Sequence, residues 1–419
     1  MPRLFTYLLC TAVVATLAGG AGGSFQPARL VLIASALLLL ISSKEPAAPA
    51  RMTRQMLTMA GVMALGGGIS LFWTADLLGG LGILLAIGVG ALSLYIVMHS
   101  DLSPQGVGRL TSAWLVVIGL SLCIAFYELA TGNHFQFALD DRTIRGLGQF
   151  PFASVLFGNY NDYSAWLCLG LPITMGAFLE ARSAGRRLLV LAVNLGLLAV
   201  VFVNTSRGAI IYASLVCIVY FVRFRAFRSY AIPALLLAIP FILIRYADAI
   251  RDLYGLATLR FEYVGAADES YSQRSGLIDA GIEGLISTFG FGIGAGGFEE
   301  YISDYYNYLI PNPHNIFLEI AVNFGLIPLV AFVVMIVRLF FAALSRRDIP
   351  QGFRMAVLLG TLGVPIIGVV PSQAIGYVYW WVWFATLCAM VDVRMPQQSS
   401  GYFGTTAGRQ ADGGRSVLL

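Results

Sequence analysis

Long apolar stretches dominate the chain, and they recur at the length that a helix needs to cross a bilayer. A transmembrane helix requires about 20 predominantly apolar residues, with a range of about 17–25. Stretches of this kind fall at residues 4–22, 28–43, 56–74, 77–98, 111–131, 164–180, 188–205, 208–222, 229–246, 315–340, 355–371 and 376–392. The pattern predicts an all-α polytopic integral membrane protein with about 12 transmembrane helices.

The basic residues between these stretches indicate how the chain is threaded. Short cytoplasmic loops retain Lys and Arg, whereas translocated loops lose them. Every second loop is basic, with residues such as Lys44, Arg51, Arg54, Arg182, Arg186, Arg187, Arg223, Arg225, Arg228, Arg346, Arg347 and Arg354. The pattern therefore predicts cytoplasmic N- and C-termini. Residues 1–22 resemble a secretory signal, but we interpret them as a retained first span.

Two predicted outer segments, at about 132–163 and 247–314, are longer than ordinary connections. In the second segment, apolar residues at helical spacing predict an amphipathic helix over 273–288 that lies on the membrane surface. These residues are Leu277, Ile278, Ile282, Leu285 and Ile286. The glycine-rich run at 290–298 ends this helix, because glycine permits conformations that other residues avoid.

The pattern divides the chain into four parts. Residues 1–246 are predicted to contain transmembrane helices 1–9, and residues 247–314 form the large outer loop. Residues 315–392 carry helices 10–12, and the polar segment 393–419 is predicted to be a disordered cytoplasmic tail.

Composition supports the membrane class and narrows the chemistry. The chain is 58% hydrophobic and 11% charged, with a mean hydropathy of +0.79, far from ordinary soluble domains. The net charge of +4 sums a basic inner face and an acidic outer face, and no nucleic-acid partner is expected. The five cysteines lie in apolar runs, and the three histidines are dispersed, so neither a disulfide framework nor a metal site is predicted.

Three residues on the predicted outer side are candidates for chemistry. Arg207 lies in a tight turn between two apolar runs, and Arg274 opens the surface helix. Both are planar, permanently charged donors that suit phosphate or diphosphate. His314 can accept a proton near neutral pH. The alternatives are an arginine that extends to the lipid headgroups, a solvated loop cation and a histidine that caps a helix.

Four stretches, in order, resemble the O-antigen ligase and polymerase superfamily. They are FGNYNDYSAWLCLGLP (157–172), NTSRGA (204–209), QRSGL with GFGIGAGGF (273–298), and PHNIFLEIAVNFGLIP (313–328). Together they cover about residues 157–340. Many members carry Glu two residues before the glycine of the last stretch. Here that position is Asn323, so no acid–base role is expected there.

The resemblance implies a GT-C-like glycosyltransferase of the bacterial inner membrane, most like an O-antigen ligase of lipopolysaccharide biosynthesis. The implied donor is an undecaprenyl-diphosphate-linked glycan, the acceptor is a sugar hydroxyl of the lipid A core, and membrane lipids surround the chain. The residues that match are His314 and Arg274 as catalytic groups, with Arg207, Arg274, Asn315, Asn159 and Asn161 as substrate-binding groups. No metal or other cofactor is implied, and direct attack on the anomeric carbon would invert its configuration.

Other functions remain open at this point. Within the superfamily, the alternatives are an O-antigen or exopolysaccharide polymerase and a protein O-oligosaccharyltransferase. A lipid or glycan transporter is the alternative from a different class, because transporters place ionisable residues within the membrane. The candidate arginines here lie at the outer boundary, and no internal repeat is visible, which favours the enzyme.

Overall fold

The computed structural model describes residues 2–19, 26–42, 50–135, 152–245, 269–303, 312–371 and 373–395. Most of the predicted tail, from residue 396 onward, lies outside the described residues, as do residues 247–268 and 304–311 of the predicted outer loop and 136–151 of the first outer segment.

The described residues are helical, and no strand occurs among them. In chain order the α-helices are α1 (Pro2–Ala15), α2 (Pro27–Ser42), α3 (Arg51–Ser70), α4 (Leu77–His99), α5 (Pro104–Thr131), α6 (Tyr160–Glu180), α7 (Ala184–Val203), α8 (Arg207–Arg223), α9 (Arg225–Arg245), α10 (Glu269–Ser287), α11 (Phe298–Ser303), α12 (Ile316–Phe324), α13 (Leu326–Ser345), α14 (Gln351–Ile367) and α15 (Val378–Val391). The prediction of an all-α protein is confirmed for this part of the chain.

Several helices have the length and composition of membrane spans. Within the described ranges, α4, α5, α7 and α13 are long and apolar enough to cross a bilayer. A fifth span is possible if α8 and residues Arg225–Leu236, which meet at a bend of 116°, count as one. The remaining apolar helices, including α2, α14 and α15, are shorter. A multi-pass membrane protein is therefore supported, with four to five candidate spans.

Two helices lie at the centre of the bundle. Nearly every residue of α6 is buried, and all of α15 is buried. Because an amphipathic surface helix would leave one face open, this all-round burial indicates helices enclosed by others. α14 packs along α6, where Gly176 and Gly352 bring the two backbones together. A Cβ on Gly176 would lie only 2.5 Å from the Gly352 carbonyl oxygen.

The predicted span 315–340 is divided in the structure. Gly325 has a φ of 89°, in the left-handed region, and it separates α12 from α13. The freed N–H of Leu326 donates to the Gly290 carbonyl at 2.9 Å. The helix break between α12 and α13 is therefore in contact with the glycine-rich run.

The glycine-rich run is held between two parts of the bundle. The Ala295 N–H donates to Ser70 Oγ at 2.9 Å, and Trp73 Nε1 donates to the Gly292 carbonyl at 3.0 Å. On the other side, the Gly296 N–H donates to Asn323 Oδ1 at 2.8 Å. Asn323 thus has a structural contact in the position where many superfamily members carry Glu.

The predicted surface helix is present as α10, a few residues longer at its start than the predicted range 273–288. It packs on α12 and α11 through a small apolar core. This core consists of Leu277, Ala280, Ile293, Phe298, Ile302 and Val322. Leu277 therefore faces protein, whereas Ile278, Ile282 and Ile286 are exposed.

Candidate functional site

His314 lies immediately before α12, in a conformation that its neighbours hold. Its φ is 47°, which is uncommon for a residue with a side chain and costs of order 1–2 kcal/mol. Asn315 is the N-cap, and its Oδ1 accepts from the N–H groups of Phe317 at 2.9 Å and Leu318 at 3.3 Å. The helix cap is therefore supplied by Asn315, and the alternative that His314 is the capping residue is wrong.

The imidazole of His314 is kept neutral at pH 7. Burial, and then the Arg274 charge, lower the pKa of His314 from 6.5 to about 4, while a hydrogen bond to the backbone of Pro371 acts in the opposite direction. Proline has no N–H, so the ring donates and the Pro371 carbonyl accepts. Nδ1 is buried and has no hydrogen-bond partner among the described residues. This assigns the proton to Nε2 and leaves the lone pair on Nδ1.

Arg274 lies in the first part of α10 and is half-buried. Its guanidinium is close enough to His314 to lower the pKa of the imidazole. The structure therefore brings together two residues that are 40 positions apart in the chain. The alternative of a solvated loop cation does not describe Arg274, because the residue is helical and partly enclosed.

Arg207 is exposed and is the first residue of α8. The charge of Arg207 is not among the causes that shift the pKa of His314. The next residue, Gly208, lies against the segment that also contacts the start of α12 after His314. A Cβ on Gly208 would lie 2.6 Å from a methyl group of Val370, and the Ile316 N–H donates to the Gly368 carbonyl at 2.8 Å.

The segment between α14 and α15, residues 368–377, thus contacts both candidate regions; we call it the outer connection. Ser372 within it lies outside the described residues. At Gly368 and Pro371 it contacts the start of α12 and His314, and at Val370 it contacts the Arg207 turn.

Buried polar side chains fix the outer connection. Glu319 of α12 is 4% exposed, and its carboxyl oxygens accept from the N–H groups of Ala374 at 2.8 Å and Ile375 at 3.1 Å. Gln26 accepts from the Val378 N–H at 3.0 Å, and Arg29 donates to the Gly376 carbonyl at 3.0 Å. Gln26 carried no signal in the sequence, whereas Arg29 is one of about eight arginines on the predicted outer side, where basic residues are uncommon. Glu319 carried a signal, because an ionisable residue in an apolar run is costly without partners.

Asn159 and Asn161 lie together at the start of α6. Asn159 is the N-cap, and its Oδ1 accepts from the Asn161 N–H at 2.7 Å. The next residue, Asp162, is buried, and Tyr377 donates its hydroxyl hydrogen to Asp162 Oδ2 at 3.2 Å. The asparagine pair therefore lies near the end of the outer connection at Tyr377. The contact between them is made by Asp162, the residue after Asn161.

Asn204 and Glu128 hold the backbone around the Arg207 turn. Asn204 Oδ1 accepts from the Ala153 N–H at 2.8 Å, and its Nδ2 donates to the Ala153 carbonyl at 2.9 Å. Glu128 Oε2 accepts from the N–H groups of Ser154 at 2.8 Å and Val155 at 2.9 Å. His134, which stands alone in the sequence, lies 3.5 Å from Glu128 Oε2.

Within the described residues, no group of three His, Cys, Asp or Glu side chains is arranged to hold a metal ion. The positive charge near His314 comes from Arg274. A planar guanidinium beside a buried neutral imidazole can bind an anionic oxygen pair and accept a proton from a hydroxyl.

Two comparisons with known proteins bear on this arrangement. The model of a family described as O-Antigen ligase matches residues 191–333. The matched segment includes Arg207, Arg274, His314 and Asn315. The chain is also similar to the Teichuronic acid biosynthesis protein TuaE of Bacillus subtilis (strain 168). The two are 20% identical over 342 residues, which cover 78% of this chain and 69% of that relative.

Proposed function

Because the family match and the likeness to TuaE support the O-antigen ligase and polymerase superfamily, as the motifs predicted, we propose that this chain is a membrane glycosyltransferase of that superfamily. The observation that carries the proposal is the half-buried imidazole of His314, held before α12 with Nδ1 unbonded among the described residues, and with Arg274 close enough to lower its pKa. The proposed donor is a glycan on undecaprenyl diphosphate, and the proposed acceptor is a sugar hydroxyl of the lipid A core.

The proposed reaction is a direct displacement at the anomeric carbon. The acceptor oxygen forms a bond to that carbon while the bond to the diphosphate oxygen breaks, and the configuration inverts. The proton of the acceptor hydroxyl passes to the neutral imidazole of His314. The bonding electrons leave with the diphosphate, and Arg274 and Arg207 stabilise the negative charge that develops there.

The asparagines have positioning and binding roles in this proposal. Asn315 uses Oδ1 for its helix cap, so its amide N–H₂ is the group that would donate to substrate. Asn159 likewise uses Oδ1 for the turn at α6, and Asn161 follows within the same turn. Asn315 and the Asn159–Asn161 pair each lie where the outer connection meets a helix start, and they would bind sugar hydroxyls.

The proposed arrangement in the membrane follows the basic loops. We place about twelve spans in the bacterial inner membrane, in a GT-C-like architecture with both termini in the cytoplasm. The site then faces the periplasm. The four candidate spans and the four shorter apolar helices account for eight of this set, and α3, α6, α8 and α9 would supply the other four.

A polymerase is the second candidate, and one observation favours it. TuaE is named for teichuronic acid biosynthesis rather than for lipopolysaccharide. A polymerase would use the same displacement, with the hydroxyl of a carrier-linked glycan in place of the core sugar. The residues of the site would then have unchanged roles, and only the acceptor would differ.

The test is transfer by the purified protein in liposomes, with undecaprenyl-diphosphate glycan, lipid A core and EDTA. A ladder on the core in a lipopolysaccharide gel would support the ligase, and elongation of the carrier-bound glycan alone would support the polymerase. Absence of both products would contradict the proposed enzyme. Transfer that occurs only when EDTA is omitted would show a requirement for metal and would contradict the role of the arginines.

Variants test the residue roles within the same assay. His314→Ala should lower the transfer rate by about 10²–10⁴-fold, because the proton acceptor is lost. His99→Asn is a matched control, because the described His99 contacts lie within and beside α4. Full transfer by His314→Ala would contradict the base role.

A further inference from the structure

α10 has one buried side and one exposed side, and the exposed side carries both apolar and acidic residues. One side, with Leu277 and Ala280, is buried against protein. A second side exposes Ile278, Ile282 and Ile286, which recur every four residues and therefore line up along the helix. Asp279 and Glu283 are also exposed and border the isoleucines, each three residues before one of them.

The exposed isoleucine side continues into further exposed apolar residues. Beyond the end of α10, Phe289 is 91% exposed and Phe291 is 64% exposed. A water-facing surface of a soluble protein rarely presents a contiguous apolar strip of this size. The exposed carboxylates of Asp279 and Glu283 border this strip, so the strip lies next to a part of the helix that faces water.

The strip runs into the surface of a candidate membrane span. The Gly290 carbonyl, between the two phenylalanines, accepts from the Leu326 N–H at the first residue of α13. α13 is the least buried of the candidate spans, and its second residue, Ile327, is 74% exposed. The side of α13 that faces outward is therefore continuous with the strip on α10.

A second contact connects the glycine-rich run to the turn between α3 and α4. Trp73 Nε1 donates to the Gly292 carbonyl, and the neighbouring Phe72 is 90% exposed. Trp73 lies in the turn before α4, which is also a candidate span. Aromatic residues concentrate at the boundary between hydrocarbon and headgroups, so this level corresponds to the membrane interface.

We propose that α10 is an interfacial membrane helix, with the Ile278–Ile282–Ile286 side and Phe289 in the acyl chains of the outer leaflet and Asp279 and Glu283 in water. The partner is the lipid bilayer itself. Arg274 precedes Ile278 by one helical turn on the same side, so the bilayer holds its guanidinium at headgroup depth. The consequence rests on the proposed function: at that depth Arg274 meets the diphosphate of a lipid-linked donor.

The test places the photoreactive residue p-benzoylphenylalanine at position 282 or, as the matched control, at position 283. Both positions are exposed, and as successive residues they are about 100° apart around the helix axis, with position 283 farther from the isoleucine strip. The proteins are reconstituted in liposomes with a tagged phosphatidylcholine and irradiated. We expect lipid attachment at position 282 to exceed that at position 283 by about five-fold or more, since only the isoleucine side enters the acyl chains.

Equal lipid attachment at the two positions would overturn the proposal. A crosslinked dimer of the chain in place of a lipid adduct at position 282 would also overturn it, because a second copy would then cover the strip. These results do not depend on catalysis. Absence of transfer activity in the unmodified protein would contradict the proposed function, but it would not change the crosslinking result.

The depth of Arg274 is tested with donors of different lipid length. The double variant Ile278→Ser and Ile282→Ser should raise the KM for the undecaprenyl donor by about ten-fold, since the helix leaves the acyl region. The KM for a short-chain, water-soluble donor should remain unchanged. An equal rise for both donors would refute the role of the membrane in positioning Arg274.

Discussion

Changing Arg274 to Gln should raise the pKa of His314 without restoring its ordinary value. Burial is the larger cause of the shift from 6.5 to about 4, and the Arg274 charge is the second. The variant removes the charge and leaves the burial, so we expect a rise of about one unit. Arg274→Lys retains a positive charge and should leave the pKa closer to that of the unchanged protein.

The measurement is a pH titration of ring nitrogen signals in protein labelled with ¹⁵N-histidine. The chain has three histidines, so variants of His99 and His134 assign the signals. Where activity is retained, the acid limb of kcat/KM should lie near pH 4 rather than near pH 6.5, because His314 must be neutral to accept a proton.

The same shift predicts how stability depends on pH. Between about pH 4 and pH 6.5 the unfolded chain binds a proton at this position that the folded chain does not, so stability falls as the pH drops through that window. For His314 alone, the loss between pH 7 and pH 5 is about 2 kcal/mol. Thermal unfolding at the two pH values should show this loss, and His314→Asn should show a smaller pH dependence.

Two outcomes would refute this reasoning. A His314 pKa near 6.5 in the unchanged protein would mean that the imidazole is not buried as the structure has it. A pKa that does not rise in Arg274→Gln would mean that the guanidinium does not act on the ring. In the second case the pairing on which the proposed mechanism rests would be lost.

Three further substitutions test the surroundings of the site. Glu319→Ala leaves two buried N–H groups without their acceptor and should destabilise the protein by about 2–4 kcal/mol in thermal unfolding, whereas Glu319→Gln, which keeps an acceptor, should cost less. Gly296→Ala should lower the unfolding midpoint, because φ is 78° and a Cβ would meet the backbone of Gly80; Gly82→Ala, with open space around it, is the control. Asn204→Ala should raise the donor KM by displacing the Arg207 turn, and an unchanged KM would contradict that contact.

The helices were largely predictable because apolar length alone identifies them. Each predicted span coincides with at least one observed helix, and the spacing of apolar residues placed α10 to within a few residues. The division at Gly325 was not predicted, since the run from 315 to 340 is mostly apolar and hydropathy carries no information on φ. The break depends on the Gly290 carbonyl, which reaches Leu326 only in the folded chain.

The candidate site was predictable in part, for a different reason. Charged and titratable residues in an apolar chain are few, so His314, Arg274 and Arg207 were recognisable from the sequence. Of their supports, Arg29 stood out only as an arginine on the predicted outer side, and Gln26 looks like an ordinary residue at the start of an apolar run. Their role appears only when the beginning of the chain meets residues 376–378 in space.

The contacts of the outer connection explain how residues far apart in the sequence can act together. His314 holds a φ of 47°, and such a conformation persists only where its surroundings determine it. Those surroundings are the Asn315 cap on one side and the outer connection on the other, while Val370 of the same segment packs on the turn that carries Arg207. Glu319 fixes this segment from within α12, five residues after His314. A single short segment therefore contacts both His314, the proposed proton acceptor, and the turn that carries Arg207, which is how a bundle of apolar helices can keep a polar site in one geometry.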